Sequence, residues 1–261
     1  MIVKQEGSTI WRWIAVVAVV ANIFLNYWVN AFPINGQTIG QVSGKHPTLF
    51  TPAGYAFSIW GVIYLSFIAY VVYQVLPAQR NKTKYDRLAP PFILTSLLSM
   101  AWIVSFSFEK LTLSLLLITG MLVTAVVLLV RAKQDMGPDH FINRTTVPFS
   151  LYSGWLSVAI IANASVWLKE LGWQGGNWGE IPWTLILIGV TVVIGILISW
   201  YLRDLIYPLV IAWANIAIWA ARKSDHASIA TTALVAAMVL IIWTIGYGWW
   251  LFRHKLYKLT S

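Results

Sequence analysis

The sequence has no cysteine. Disulfides, thiolate nucleophiles and cysteine-based metal sites are therefore excluded. Charge is also scarce, at 10% of 261 residues, where a soluble globular chain carries about 25%. So few charges cannot cover a water-facing surface of this size. The four histidines, His46, His140, His226 and His254, lie in loops or tails and share no ligand spacing. A histidine-cluster metal site is not expected. Every carboxylate falls outside the long apolar runs, so an ion-coupled pump or proton relay lacks its mid-membrane acid. Glu109-Lys110 and Arg203-Asp204 read as solvated charges in short turns. No glycine-rich phosphate loop and no nucleophile–base pairing is present. The sequence asks for no cofactor.

What is present is apolar. Hydrophobic residues make up 59% of the chain, with sixteen tryptophans and a mean hydropathy of +0.71. Tryptophan favours the membrane interface, where its apolar ring and its N–H both find partners. Eight apolar segments are predicted: Trp11–Ala31, Pro52–Leu76, Pro91–Phe108, Thr112–Arg131, Val147–Leu168, Pro182–Leu202, Leu205–Ala221 and Ile229–Phe252. Each is near the ~20 residues a helix needs to cross ~30 Å of hydrocarbon. Helices satisfy their own backbone in lipid, whereas open strands do not. The expected fold is thus an all-α membrane bundle of about eight transmembrane helices. Leu205–Ala221 is the shortest segment, with Pro208 in its first turn; without it the count falls to seven.

The net charge of +9 would hint at nucleic acid on a soluble protein. Here the basic residues sit in short connections, which points to lipid headgroups and topology instead. On the eight-helix reading, thirteen lysines and arginines, Arg12 among them, fall on one side and five on the other. The positive-inside rule then places both termini in the cytoplasm of a multi-pass cell-membrane protein. No cleavable signal peptide is read at the N-terminus, because the first apolar run is long and no small-residue cleavage site follows it.

Several side chains share helix faces. Trp60 and Tyr64 are four apart, as are Trp155, Ala159 and Asn163, and Asn22, Asn26 and Asn30. Ala159 permits close approach of a neighbour. The asparagines read first as interhelical hydrogen-bonding groups. For Trp60, Tyr64, Trp102 and Trp155, packing and pocket lining are equally open. The loop Phe32–Thr51 is rich in Gly, Asn, Ser and Gln and is placed to cover the bundle mouth. Trp173 and Trp178 in the Lys169–Ile181 loop read as interfacial anchors.

These segments also carry a resemblance. Thr51-Pro52-Ala53-Gly54-Tyr55-Ala56-Phe57-Ser58-Ile59-Trp60, followed by Tyr64, resembles the start of the second helix of the tryptophan-rich sensory protein family (TspO, also called the translocator protein or peripheral benzodiazepine receptor family). Pro52, Trp60 and Tyr64 keep the family spacing. Thr51 stands where the family pairs its prolines, and Gly54 where it has a Trp. On the third segment Leu98-Ser99-Met100-Ala101-Trp102, then Phe106, resembles the family's Leu-Asn-x-x-Trp pattern with Ser99 for the Asn. On the fifth, Trp155, Ala159 and Asn163 keep its Trp-x-x-x-Ala-x-x-x-Asn spacing. The resemblance covers roughly Trp11–Leu168. Residues 1–168 are therefore read as a five-helix TspO-like region, and 169–261 as three added helices in the same bundle.

The resemblance implies a non-enzymatic protein that binds an apolar, planar or polycyclic molecule, tetrapyrrole or sterol-like, in a sensory, regulatory or transport role. A small-molecule transporter and a membrane enzyme acting on a tetrapyrrole are the alternatives. The implied ligand-binding residues are Pro52, Tyr55, Phe57, Trp60, Tyr64, Trp102, Phe106, Trp155, Ala159 and Asn163. They would enclose a site between the outer halves of the second, third and fifth segments, with Trp60 level with Asn163 and Phe32–Thr51 as a lid. The partners expected are membrane lipids and an apolar small molecule such as porphyrin or heme. No nucleic acid is expected, and a homodimer stays open.

Overall fold

The computed structural model describes residues 9–134 and 142–260. Among them there is no strand. The helices are α1 (Thr9–Ala31), α2 (Ile39–Lys45), α3 (Ile59–Val75), α4 (Lys84–Ser107), α5 (Leu111–Gln134), α6 (Val147–Glu170), α7 (Glu180–Leu202), α8 (Tyr207–Arg222) and α9 (Ala227–Thr260). Seven stretches, all but α2 and α8, are long and apolar enough to cross a membrane. Their outward faces are apolar, for example Leu65 and Val72 on α3, Val193 and Leu197 on α7, and Ile242 and Ile245 on α9. That is the surface a bilayer solvates and water does not.

The eighth predicted span needs qualification. The helix there has 16 residues, about 24 Å at 1.5 Å per residue. It nevertheless runs from one end of the bundle to the other. At its start, Asp204 accepts hydrogen bonds from the Ile206 and Tyr207 amides, both at 2.9 Å, and thus caps the helix. Asp204 is also bound by Ser150, near the start of α6. At its end, Arg222 donates to the carbonyls of Thr48 and Leu49 beside the C-terminal end of α6. A short helix suffices because α8 is largely enclosed by α6, α7 and α9. Gly154 on α6 makes the approach possible. A Cβ there would lie 3.0 Å from Val210 Cβ and 3.1 Å from the Tyr207 carbonyl.

The described basic residues sort to the two ends as predicted. Arg12 reaches the carbonyls of Gln79, Arg80 and Lys82, and Lys133 reaches the Arg203 carbonyl, all at one end. Lys45, Lys169 and Arg222 pair at the other.

One turn charge is not solvated as expected. Asp204 is 1% exposed and paired with Lys133 at 2.9 Å; the α8 cap and the ion pair together offset its desolvation. Glu109 stays half-exposed as expected while it binds Lys45 and Gln37. The asparagine stripe is a second correction. Asn26 donates to Asn22, and Asn30 to the Asn26 carbonyl, all inside α1. They bond along one helix rather than between helices. The third concerns the Phe32–Thr51 loop, which contains α2. Thr38 and Gln41 form a reciprocal capping box there.

Candidate ligand site

The chain enters α3 through a 3-10 turn, Gly54–Ser58. That turn is held from behind by α8. The Ala53 amide donates to the Ala217 carbonyl at 3.0 Å, and Trp213 Nε1 donates to the Ala56 carbonyl at 3.2 Å. This presents Pro52 and Phe57 toward α4 and α6. Their side chains close one wall of an inner chamber of about 50 Å³.

The other walls come mainly from α3, α4, α5 and α6. Trp60 on α3 meets Trp155 of α6 edge-on at 6.4 Å and stacks on Tyr64 at 5.5 Å. Trp102 and Phe106 of α4 stack at 5.2 Å. Phe57 meets Trp155 edge-on at 5.9 Å. Edge-to-face and offset contacts of this kind are the preferred aromatic geometries. Ala159 and Asn163 continue the α6 stripe one and two turns toward its C-terminus, and both line the chamber. Ile118 and Met121 of α5 complete it.

The chamber opens into a larger groove of about 740 Å³ between α1, α2 and α3. Trp60, Phe57, Trp102 and Pro52 line both spaces, as do Ile39 and Ser43 of α2. Tyr64 lines only the groove. The far wall is polar, with Asn26 and Asn30 of α1 beside Thr38 and Thr51.

Nine of the ten residues expected from sequence thus surround one connected space. Tyr55 is the exception. The 3-10 turn aims it outward, where its ring is 46% exposed and packs edge-on against Trp213 at 5.3 Å. The depth expectation also changes: the ring contact of Trp60 is with Trp155, below Asn163. Sequence reasoning missed the α5 wall and ranked ligand contact by the α1 asparagines below helix bonding, whereas Asn26 and Asn30 line the groove. The spacing of Asn22, Asn26 and Asn30 signalled a shared face but not which neighbour it would meet.

The polar atoms of the chamber are unevenly satisfied. Ser114 Oγ donates to Asn163 Oδ1 at 3.2 Å, while Asn163 Nδ2 has no partner. Trp102 Nε1 and Trp155 Nε1 are buried without any partner. An unpaired buried donor costs about 1–3 kcal/mol. Neither space is lined by Asp, Glu, Lys, Arg or His among the described residues. Among the described residues, no cluster of metal-ligating side chains occurs either.

Neither a curated protein nor a solved structure matches the chain. A family model described as TSPO-like protein matches residues 12–246. The match runs past Leu168 through α7, α8 and most of α9, beyond the stretch on which the sequence motifs rest. The helices that brace the 3-10 turn from behind are part of what is matched, and the chain belongs to the TSPO-like protein family.

Proposed function

We propose that this protein binds a flat apolar or polycyclic molecule, tetrapyrrole or sterol-like, without transforming it. The observation that carries the reading is the pair of unpartnered indole donors, Trp102 Nε1 and Trp155 Nε1, on residues lining an aromatic chamber. A ligand acceptor reaching them would relieve their desolvation cost. The chamber is too small for a polycyclic body, whereas the groove falls within the 300–1,000 Å³ typical of ligand sites. The body of the ligand therefore lies in the groove, with a polar edge turned to the indoles. Family membership supports a membrane protein of this kind. The absence of a lining acid or base among the described residues favours binding over catalysis.

The ligand-bearing residues all precede Leu168. Residues 1–168 are accordingly read as the binding region and 169–261 as its buttress. In a cell membrane, the excess of basic residues at the end where α1 begins supports a cytoplasmic position for both termini. A transporter reading gives the last three helices a pathway instead. Mass spectrometry of what co-purifies with the protein, before and after illumination, separates binding from catalysis. A retained and unchanged ligand supports binding. A consumed one supports an enzyme, and none at all contradicts the proposal.

A further inference from the structure

The segment that bears α2 is anchored by the buried Val42 and Phe50, by Asn35 on the Ser107 carbonyl and by Arg222 on the carbonyls of Thr48 and Leu49, and its charged contacts converge on one residue. Glu109, in the turn between α4 and α5, has φ +55°. That left-handed region suits glycine and strains a residue with a Cβ. Its carboxylate faces the α2 segment. Lys45 Nζ lies 2.6 Å from Oε1, Gln37 Nε2 donates to the same oxygen at 3.4 Å, and His46 Nε2 is 3.7 Å from Oε2. The other nitrogen of His46, Nδ1, is 3.2 Å from Glu170 Oε2 at the end of α6. The imidazole is 17% exposed, and its Nε2 is buried without a hydrogen bond. The surrounding cations are otherwise engaged or turned to solvent. Lys169 pairs with Glu180, Arg222 binds Asp225 and the carbonyls of Thr48 and Leu49, and Lys110 is exposed. His46 thus looks at two carboxylates on two different elements, sharing one of them with Lys45.

We propose that His46, Glu109 and Glu170 form a pH-responsive latch that holds α2 over the groove. Histidine is the side chain that changes charge between about pH 5 and 8. A protonated His46 clasps α2 to both the α4–α5 turn and α6. A neutral one leaves the Lys45–Glu109 pair as the remaining ionic tie. Closure is therefore favoured as pH falls through this range and weakened as it rises. The Lys45 ammonium holds the Glu109 carboxyl below its usual range, so the acid side of the latch survives until pH falls below that of an ordinary carboxylate. Ile39 and Ser43 of α2 line both cavities, so movement of α2 changes access to them. As a gate for a bound molecule the latch rests on the binding role proposed above; as a motion of α2 it does not.

The absence of native cysteine allows a spin-label pair on the full chain. A Cβ at Gly44 on α2 meets nothing within 4 Å, and Leu171, just past α6, is 64% exposed. With G44C and L171C labelled in lipid nanodiscs without added ligand, double electron–electron resonance should show one short distance at about pH 6. A longer population should grow about fivefold by about pH 8. H46Q should give the same distribution at both pH values. E109G keeps the turn, since glycine suits its backbone, and should show the longer population throughout. Distances in the otherwise unchanged chain that do not move with pH, or a pH shift that persists in H46Q, would overturn the latch. Because no ligand enters the measurement, that failure is distinct from failure of the binding role.

Discussion

Arg12 of α1 and Asp86 of α4 meet as a two-pronged buried pair. Arg12 Nε lies 2.7 Å from Oδ1 and Nη2 lies 2.8 Å from Oδ2. The remaining guanidinium donors take the carbonyls of Gln74, Gln79, Arg80 and Lys82. A residue that counts in the sequence as one more positive charge at the start of a span is instead 1% exposed. It ties α1 to the α3–α4 connection. Breaking such a pair from one side leaves a buried charge, which costs about 3–5 kcal/mol.

Replacing Arg12 with Met should therefore lower the thermal unfolding midpoint in detergent markedly. R12K should fall between, because an ammonium keeps the charge but lacks the planar fork. Tryptophan-fluorescence melts of the three proteins check this. R12M melting with the parent protein would contradict the assigned role.

Glycine substitutions should separate close packing from open space. G154A places a methyl against Val210 and the Tyr207 carbonyl, and overpacking of this kind costs about 1–3 kcal/mol. Gly61 on α3 has nothing within 4 Å of a built Cβ, and alanine is the better helix former by about 1 kcal/mol. The two variants should shift stability in opposite directions in an unfolding titration.

Topology is open to chemistry on a chain without cysteine. K84C should react with an impermeant maleimide only from the cytoplasmic side of oriented vesicles, and K169C only from the opposite side. Labelling of both from one side would contradict the eight-crossing arrangement, in which α8 connects the two ends.

Much of this architecture is legible in the sequence because lipid imposes one simple rule, a run of about 20 apolar residues per crossing. The aromatic site is legible for a related reason. Residues four apart on a helix share a face, so Trp60 with Tyr64, and Trp155 with Ala159 and through it Asn163, could be grouped before any packing was known. Tyr55 escapes this logic because it precedes the regular helix and lies in a 3-10 turn with a different angular step. The start of α4 was read at Pro91, yet the helix begins at Lys84. Pro91 leaves the Arg87 carbonyl without its helical donor, and Arg131 Nη1 from α5 supplies one at 3.3 Å. A donor from another helix cannot be read from local sequence. The burial of Asp204 was hidden for the same reason, since its partners Lys133 and Ser150 lie far away in the chain. The short α2 did carry a local sign, the Thr38-x-x-Gln41 capping box, obscured by two glycines within seven residues.

The central claim is that a flat ligand is held against the aromatic walls around Trp60 and Trp155. Its most direct test is titration of protoporphyrin or heme into the detergent-solubilised protein, followed by quenching of tryptophan fluorescence. W60A should weaken binding by about 1–3 kcal/mol through loss of a ring face in the groove, and W155A by about 1–3 kcal/mol through loss of the donor facing the ligand's polar edge. W155F, which keeps a ring but lacks the N–H, should lose about 0.5–1.5 kcal/mol. W249A, on the outward face of α9 with its ring 58% exposed, should bind as the unaltered protein does. Equal affinity across all four variants and the parent would contradict this location for the site.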